Sequence, residues 1–337
     1  MYGGLQDNGS NKVFPATGSV LDDLGNPINV SSVQVFGGDG GYTLVDPGNS
    51  NNVITEYVGL TALKSIDGGA NWHFIQPADP NPRFIAPIAM DRTNAMHLLA
   101  GGAIVWNSES GIAGTTAGTG ASTDWQNIYD TRNALGASTL AQVTALDAVT
   151  IGATQYVAAA RCGPCNGSFA TGGGFRSGIV MLQNSGTGWT VTSNVCTGTS
   201  TTCSASGLPH RYISGVRIDT GDPTHAYLTL SGFSRKWMIG PDDPGVGHVF
   251  ESKNSGATWS DVSAGLPDVP SDDVVYEHGK LVVATDFGVF TSANDGATWS
   301  RYGSKLPNVV VDQLTQDPNG NLVAATHGRG AWTIPAP

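Results

Sequence analysis

Short runs of apolar and alternating residues, separated by turns rich in glycine and asparagine, repeat along most of this chain. In one stretch the runs fall at 41–47, 53–57, 61–65 and 71–75. Runs of about four to eight residues bounded by turn formers predict β-strands. This stretch is therefore predicted to be a unit of four short strands.

The same unit recurs along the rest of the sequence. Copies with four runs, less regular in some of them, fall at 85–129, 140–192, 211–262 and 272–302. A copy with three runs falls at 308–335. Residues 1–34 contribute a second-strand pattern at 2–5 and a third-strand pattern at 12–16. A repeat of about 40 residues is typical of a propeller or a solenoid.

The repeats predict an all-β protein, a β-propeller of four-stranded antiparallel blades. We expect one domain, 1–337, in which the N-terminal strands of 1–34 close the ring with the C-terminal unit 308–337. Closure of this kind removes open sheet edges. It gives six blades if the two ends share a blade and seven if each end forms its own, and we expect seven.

Three eight-residue stretches read almost alike, at 65–72, 252–259 and 292–299. Their pattern is Ser-x-(Asp/Asn)-x-Gly-x-(Thr/Asn)-Trp. Asp or Asn near Gly suits a tight hairpin turn, and the Ser and Asp side chains can accept backbone N–H groups inside it. The predicted structural residues are Ser65, Asp67, Gly69, Trp72, Ser252, Asn254, Gly256, Trp259, Ser292, Asn294, Gly296 and Trp299.

The octapeptide resembles the Asp-box, or BNR repeat, of sialidases, xyloglucanases and sortilin-type receptors. That resemblance implies a hairpin turn between the two outer strands of a propeller blade, on the face opposite any functional site. Over the whole length the chain is most similar to uncharacterised secreted BNR-repeat proteins, which are often labelled glycosyl hydrolases on the repeat alone. A weaker copy of the box lies at 183–189.

Composition and charge narrow the range of binding partners that can be expected. Charged residues make up 13%, Gly accounts for 46 of 337 residues and the formal net charge is −11. Without a basic stripe, nucleic acid and anionic membrane are not expected partners, and no apolar run approaches the roughly 20 residues of a membrane span. We expect a secreted or extracellular protein, lacking its leader here and belonging to a larger multi-blade chain or assembly.

Acidic residues in the loops opposite the boxes are the candidate catalytic groups: Asp39, Asp7 and Asp286. Four glycines surround Asp39, which implies close backbone approach to another group. Asp39 with either of the others could supply the paired carboxylates of glycoside hydrolysis. The alternative is that these residues cap turns, or that Asp39 binds a structural cation.

Aromatic and basic residues in the same loops are candidate ligand contacts. They are Tyr42, Arg211, Tyr212, Arg235, Trp237, His327 and Arg329. Loops on a rigid scaffold are where binding residues concentrate. Arg329 could instead form a blade-closing ion pair, and Trp237 could pack its own insertion.

Two function classes stay open. We favour a non-catalytic propeller that binds a glycan or a protein partner through the rim of its channel, and the alternative is a xyloglucanase-like glycoside hydrolase. Xyloglucanases use two Asp residues across a cleft between two propellers, whereas this chain is long enough for one. A sialidase is less favoured, because the segment 83–87 does not match the Arg-Ile-Pro segment of that family.

The four cysteines are expected to form disulfides. Cys162-Gly163-Pro164-Cys165 looks like a thioredoxin motif but lies in a glycine-rich insertion rather than at a helix start. A zinc site from Cys162, Cys165, Cys196 and Cys203 is the alternative. Of the three possible pairings we favour Cys162–Cys165 with Cys196–Cys203. No cofactor is expected, with a structural calcium ion left open.

Overall fold

The computed structural model describes residues 1–21, 27–115, 124–134, 141–165, 176–197, 204–234, 246–317 and 319–335. It is nearly all β, with its strands in seven sheets, and its fold class is the β-propeller. The chain forms two compact units, Met1–Tyr129 and Asp130–Pro337, here called unit 1 and unit 2. The single domain and the ring closure stay predictions.

Unit 1 contains three sheets. Their strands, in chain order, are β1 (Tyr2–Leu5), β2 (Gly9–Leu21) and β3 (Pro27–Phe36); β4 (Thr43–Val45), β5 (Val53–Glu56), β6 (Ala62–Ser65) and β7 (His73–Phe74); and β8 (Ile88–Met90), β9 (Leu98–Gly101), β10 (Ile104–Ser108) and β11 (Gln126–Asp130), whose last residue crosses the unit boundary. A one-turn helix, α1 (Gly111–Gly114), follows β10.

Unit 2 opens with a second short helix, α2 (Thr131–Ala134), and contains four sheets. Their strands are β12 (Gln142–Ile151), β13 (Thr154–Cys162), β14 (Ser177–Asn184), β15 (Trp189–Cys196) and β16 (Ser204–Ala205); β17 (Ile213–Ile218), β18 (Ala226–Leu230), β19 (Val249–Ser252) and β20 (Ser260–Asp261); β21 (Ser271–Glu277), β22 (Lys280–Thr285), β23 (Gly288–Ser292) and β24 (Ser300–Tyr302); and β25 (Val311–Gln316), β26 (Asn321–Thr326) and β27 (Gly330–Pro335).

The predicted count of seven is confirmed, because each end of the chain forms its own three-stranded sheet. Four sheets have four antiparallel strands, and the β12–β16 sheet adds β16 as a fifth, parallel strand. The N-terminal sheet has a third strand, β3, which was not predicted from the sequence.

In unit 2 the first strands of consecutive sheets lie side by side, and buried apolar residues fill the space between sheets. One such core contains Val149, Ile179, Leu228, Phe250 and Trp259, which come from two neighbouring sheets. Asp side chains on one first strand also accept backbone amides from the first strand of the next sheet. The Ile218 amide donates to Asp147 Oδ2 at 2.7 Å and the Leu314 amide to Asp273 Oδ2 at 2.9 Å.

Each octapeptide forms the turn between the third and fourth strands of its sheet. In the third copy the buried Ser292 Oγ accepts the Gly296 amide at 2.9 Å and donates to Asn294 Oδ1 at 2.9 Å. Asn294 Oδ1 in turn accepts the Thr298 amide at 3.0 Å. The corresponding bonds form within Ser65–Asp67–Gly69–Asn71 and within Ser252–Asn254–Gly256–Thr258. The turns therefore have the predicted internal hydrogen bonds.

The tryptophan that closes the octapeptide joins one sheet to the sheet before it. Trp299 Nε1 donates to the Val262 carbonyl at 3.0 Å, and Trp72 Nε1 donates to the Val35 carbonyl at 2.9 Å. Trp259 differs, since its indole donates within its own turn, to Gly256 O, and its backbone amide donates to Ser206 O.

Trp125 has the same role without an octapeptide. It directly precedes β11, as Trp299 directly precedes β24, and its indole donates to the carbonyl of Ile75 in the sheet before it. A tryptophan at the start of a fourth strand thus fastens two neighbouring sheets in unit 1 as well.

A second repeated turn joins the first and second strands. Asp91 Oδ2 contacts His97 Nδ1 at 3.0 Å, and Asp219 Oδ2 contacts His225 Nδ1 at 3.3 Å. Asn takes the place of His in the pairs Asp46–Asn52 and Asp317–Asn321. In these turns an Asp side chain bonds to a residue four or six positions later.

Replacing Gly296 by Ala tests the contact between an octapeptide turn and the preceding sheet. Gly296 has φ +81°, and a Cβ there would lie 2.1 Å from the Val262 carbonyl oxygen. Gly303 has φ +87° but its nearest neighbour would be 3.6 Å away. In both variants the positive φ strains the new side chain by about 1–2 kcal/mol. In Gly296→Ala the backbone must also move, so we expect its free energy of unfolding to fall by at least about 2 kcal/mol more than that of Gly303→Ala.

Urea unfolding of the two variants beside the parent protein measures the difference. An equal loss in Gly296→Ala and Gly303→Ala would contradict close packing of the turn on Val262.

Candidate functional site

The turn between β22 and β23 is held in a fixed shape and presents Asp286 and Phe287. Thr285 Oγ1 accepts the Phe287 amide at 3.0 Å and donates to the Gly288 carbonyl at 2.8 Å. The Asp286 amide donates to Pro270 O at 3.1 Å, which ties this turn to the segment entering β21. Phe287 is 42% exposed, so the turn offers a carboxylate and an aromatic ring to solvent.

Asp286 meets two carboxyl groups from the first strands of two consecutive sheets. Asp272 is the second residue of β21 and Asp312 is the second residue of β25. Strand pairing slips at both positions, between Ser271 and Asp273 and between Val311 and Gln313. A β-bulge leaves a residue unpaired and re-aims its side chain, which is how the two carboxyls come to face Asp286.

We call Asp272, Asp286 and Asp312 the carboxyl cluster. Burial, with the charges of Asp286 and Asp312, raises the pKa of Asp272 to about 7. Asp272 Oδ2 is buried and has no hydrogen-bond partner among the described residues. Partial burial also raises the pKa of Asp312, while His327 opposes that rise.

His327 lies beside the cluster, in the turn between β26 and β27. Its amide donates to Val310 O at 2.9 Å, and its side chain is exposed. Arg329 is exposed in the same turn, where its carbonyl accepts the indole N–H of Trp332 at 3.0 Å. Asp286 and His327 both lie close enough to Asp312 to affect its pKa, and Arg329 lies in the same turn as His327.

The raised pKa of Asp272, beside Asp286, gives the cluster its chemistry. At neutral pH a carboxyl with a pKa near 7 is partly protonated, so it can donate a hydrogen bond through its O–H and accept one through its carbonyl oxygen. The cluster can therefore bind hydroxyl groups and can hold a proton for transfer.

Asp7 and Asp39 lie in unit 1 and contact each other through a turn-capping bond. The Asp7 amide, at φ +61°, donates to Asp39 Oδ1 at 2.8 Å. The Gly40 amide donates to Leu5 O at 3.0 Å, so the glycine-rich loop packs on the β1–β2 turn. This agrees with the turn-capping alternative for Asp39, and its catalytic role stays a prediction.

Glu56, at the end of β5, was not among the candidates. Its side chain is fully buried, its Oε1 accepts the Ala86 amide at 3.1 Å, and its Oε2 has no partner in the described part of the chain. Burial raises its pKa to about 8. A Cβ on Gly41 would lie 1.7 Å from Oε2, so one of the glycines near Asp39 makes room for this carboxyl. Tyr42 accepts the Glu56 amide through its carbonyl at 2.8 Å.

Arg211 is buried and its guanidinium bonds to loop carbonyls. It donates to Leu230 O at 3.1 Å and to Ser231 O at 3.0 Å, and it also contacts the carbonyls of Gly232 and Gly247. Burial lowers its pKa to about 10. These contacts hold both ends of the segment 233–246 and leave Arg211 as a loop-fastening residue rather than an exposed ligand contact.

Of the three remaining basic and aromatic candidates, the structure describes one, Tyr212. Tyr212 is partly buried, and its carbonyl accepts the Ser231 amide at 3.0 Å. Arg235 and Trp237 lie outside the described residues.

Ser234, His248 and Asp268 lie together near Arg211 but do not form a nucleophilic triad. His248 Nε2 contacts both Asp268 Oδ1 at 3.0 Å and Ser234 Oγ at 3.2 Å, while Nδ1 faces an Arg211 N–H at 2.9 Å. Because Arg only donates, Nδ1 is the acceptor and Nε2 carries the proton toward Asp268. A catalytic triad needs Ser and Asp on different ring nitrogens.

Cys162 and Cys165 form a disulfide, as predicted, with Cα atoms 5.0 Å apart. Cys196 is disulfide-bonded too, and Cys203, its predicted partner, lies outside the described residues.

Within the described ranges no group of three or more His, Cys, Asp or Glu side chains could hold a metal ion. No helix in the described part is long and apolar enough to cross a membrane.

No protein-family model matches the sequence, and no curated protein matches it. Similar solved structures include an ancestral GH74 enzyme, with a TM-score of 0.56 and 15% identity, covering 88% of this chain and 36% of that one. PorZ of Porphyromonas gingivalis, a surface component of the type-IX secretion system, has a TM-score of 0.52 and 15% identity, with 88% and 38% covered. The Pan2 WD40 domain of Neurospora crassa has a TM-score of 0.52 and 11% identity, with 100% and 86% covered.

These likenesses show the propeller fold alone. The chain spans well under half the length of the GH74 enzyme and of PorZ. Propellers host many unrelated functions, so the chemistry has to be argued from the cluster.

Replacing Asp286 by Asn tests the electrostatic coupling in the cluster. We expect the pKa of Asp272 to fall from about 7 toward its ordinary value, because the Asp286 charge is the largest cause after burial. Carbon-13 NMR titration of the side-chain carboxyl groups measures it. Asp295→Asn, an exposed residue of the octapeptide turn in the same sheet, is the matched control and should leave Asp272 unchanged. An unmoved Asp272 midpoint in Asp286→Asn would contradict the coupling.

Proposed function

We propose that this chain is a glycan-binding β-propeller whose ligand contacts the carboxyl cluster at the loop end of unit 2. The observation that carries the proposal is the meeting of two bulge carboxyls, one turn carboxyl and His327. Bulges are over-represented beside functional sites, where they re-aim side chains. All four sheets of unit 2 carry this irregularity near the start of the first strand, and in two consecutive sheets the skipped residue is an Asp.

The chemistry of the cluster supports a sugar ligand. Sugar hydroxyls both donate and accept hydrogen bonds, and the pair Asp272–Asp286 offers both functions near neutral pH. Phe287 adds an exposed ring on the same turn, and aromatic rings offer an apolar surface for packing. Arg301 lies over that ring at 5.4 Å and steadies it.

An extracellular location belongs to the same proposal. The disulfide Cys162–Cys165 supports an oxidising compartment. PorZ, one of the similar structures, is described as a bacterial surface component. We also infer that the three octapeptide turns are Asp-boxes of the BNR type, supported by the shared Ser–Asp/Asn–Gly bonding pattern.

Glycoside hydrolysis is the second candidate, and the raised pKa of Asp272 favours it. Asp272 would act as the general acid and Asp286 as the base or nucleophile, since glycosidases use one protonated and one ionised carboxyl. One of the similar structures is a GH74 enzyme, of which this chain spans 36%.

Binding to a panel of soluble polysaccharides, measured by isothermal titration calorimetry, tests the proposal. We expect at least one polysaccharide to bind, and we expect Phe287→Ala to weaken that binding at least about tenfold through loss of a central aromatic contact. Phe74→Ala is the matched control, because Phe74 is 56% exposed in unit 1 and should be neutral.

Release of reducing ends from the same panel separates the two candidates. Release that Asp272→Asn abolishes would establish hydrolysis, whereas binding without release supports a binding module. Absence of any glycan binding by the folded protein, or binding that Phe287→Ala leaves intact, would contradict the proposal and direct the search to protein partners.

A further inference from the structure

Arg211 and His248 fasten the end of β18 to the start of β19. Both residues are 3% exposed, so the bonds between them are shielded from water. The Arg211 guanidinium donates to the carbonyls of Leu230 and Ser231 at 3.1 and 3.0 Å, and it contacts the Gly247 carbonyl just before β19. The Leu230 amide also donates to the His248 carbonyl at 2.9 Å. One buried cation therefore holds two strand ends together.

The two ring nitrogens of His248 have different partners. Nδ1 accepts an N–H of Arg211 at 2.9 Å, and Nε2 donates to Asp268 Oδ1 at 3.0 Å. Asp268 lies in the segment between β20 and β21 and also accepts the Ser234 amide at 2.7 Å. We call Arg211, His248 and Asp268 the clasp. Because an arginine only donates hydrogen bonds, this arrangement requires a neutral imidazole with its proton on Nε2.

A second proton on His248 has only one ring atom to occupy. It would bind Nδ1, the atom that accepts the Arg211 N–H, so that a donor would face a donor. Two positive charges would then lie 2.9 Å apart at a site from which water is largely excluded, where charge repulsion is weakly screened. The imidazolium would keep its bond to Asp268 through Nε2. The contact that has to part is therefore the one with Arg211.

We infer that the clasp is an acid-sensitive switch, in which proton uptake by His248 separates it from Arg211 and loosens the link between β18 and β19. In the described part of the chain the charged groups that face this pair are Asp268 and Asp261, the last residue of β20, whose charge acts on Arg211. Asp268 favours the imidazolium, whereas burial and the Arg211 charge oppose it.

The opposing effects are the stronger, so burial and the Arg211 charge lower the pKa of His248 below its ordinary value of 6.5. The unfolded chain then takes up the proton first as the pH falls. The stabilisation from the clasp is accordingly complete above about pH 6.5 and is lost progressively below it. The raised pKa values of Asp272 and Glu56 act in the opposite direction, since those carboxyls favour the folded state as the pH falls.

Urea unfolding of the whole chain at about pH 7.5 and about pH 5 compares the parent with His248→Asn. Asparagine offers Oδ1 to Arg211 close to the place of Nδ1 but takes up no proton. We expect the folding equilibrium constant of the parent to fall by about threefold to thirtyfold more than that of the variant, since one group contributes at most about tenfold per pH unit. His278→Asn is the matched control and should keep the parental loss, because His278 is exposed in the turn between β21 and β22.

Nitrogen-15 NMR of the imidazole rings tests the clasp in the parent chain itself, whether or not the variant folds. We expect His248 to carry its proton on Nε2 at about pH 7.5 and to take up a second proton on Nδ1 with a midpoint below 6.5. The hydrogen-exchange protection factor of the Ser231 amide, which donates to the Tyr212 carbonyl, should fall as that proton binds.

Three results in the parent chain would overturn the inference: a neutral His248 ring protonated on Nδ1, a midpoint above 6.5, or an unchanged Ser231 protection factor. Equal losses of stability in the parent and in His248→Asn between the two pH values would overturn it as well.

Discussion

The hydrogen bonding of a buried serine in the turn between third and fourth strands is the constraint on which this fold depends. In each octapeptide the Ser Oγ accepts a glycine amide at 2.9 Å, which folds the turn tightly enough for the glycine to approach the preceding sheet. In two of the three copies, the tryptophan then donates to a carbonyl of that sheet. The octapeptide turns are used for fastening, and the opposite end of the sheets in unit 2 carries exposed turns and the carboxyl cluster.

The sequence predicted the fold well because each repeat carries its own local turn chemistry. Strands as short as β7 and β24 have almost no periodicity, but the octapeptide before them marks where they begin. The strand β3 was missed although Val30, Val33 and Val35 lie among polar residues there, a β-branched pattern that could have identified it. The bond between Asp91 and His97 was not predicted, because the partner of the Asp varies between His and Asn in the corresponding turns.

The candidate site was predicted in part, and the physical reason differs between residues. Asp286 and His327 follow second strands in recognisable turns, so the sequence could place them. Asp272 and Asp312 lie inside strands, where only a bulge turns a side chain toward the loop end, and bulges leave no clear mark in a single sequence. Glycines near Asp39 indicated close approach correctly, but the groups approached are the β1–β2 turn and the Glu56 carboxyl.

The central claim is that one end of the blades supplies stability while the other holds carboxyl groups at an energetic cost. The most direct test compares the free energies of unfolding of Ser292→Ala and Asp286→Asn at about pH 8, above the pKa of about 7 at Asp272. We expect Ser292→Ala to lose about 1–3 kcal/mol, because buried amides lose their acceptor. Asp286→Asn should gain stability through relief of carboxylate repulsion. A neutral Ser292→Ala together with a destabilised Asp286→Asn would contradict the account.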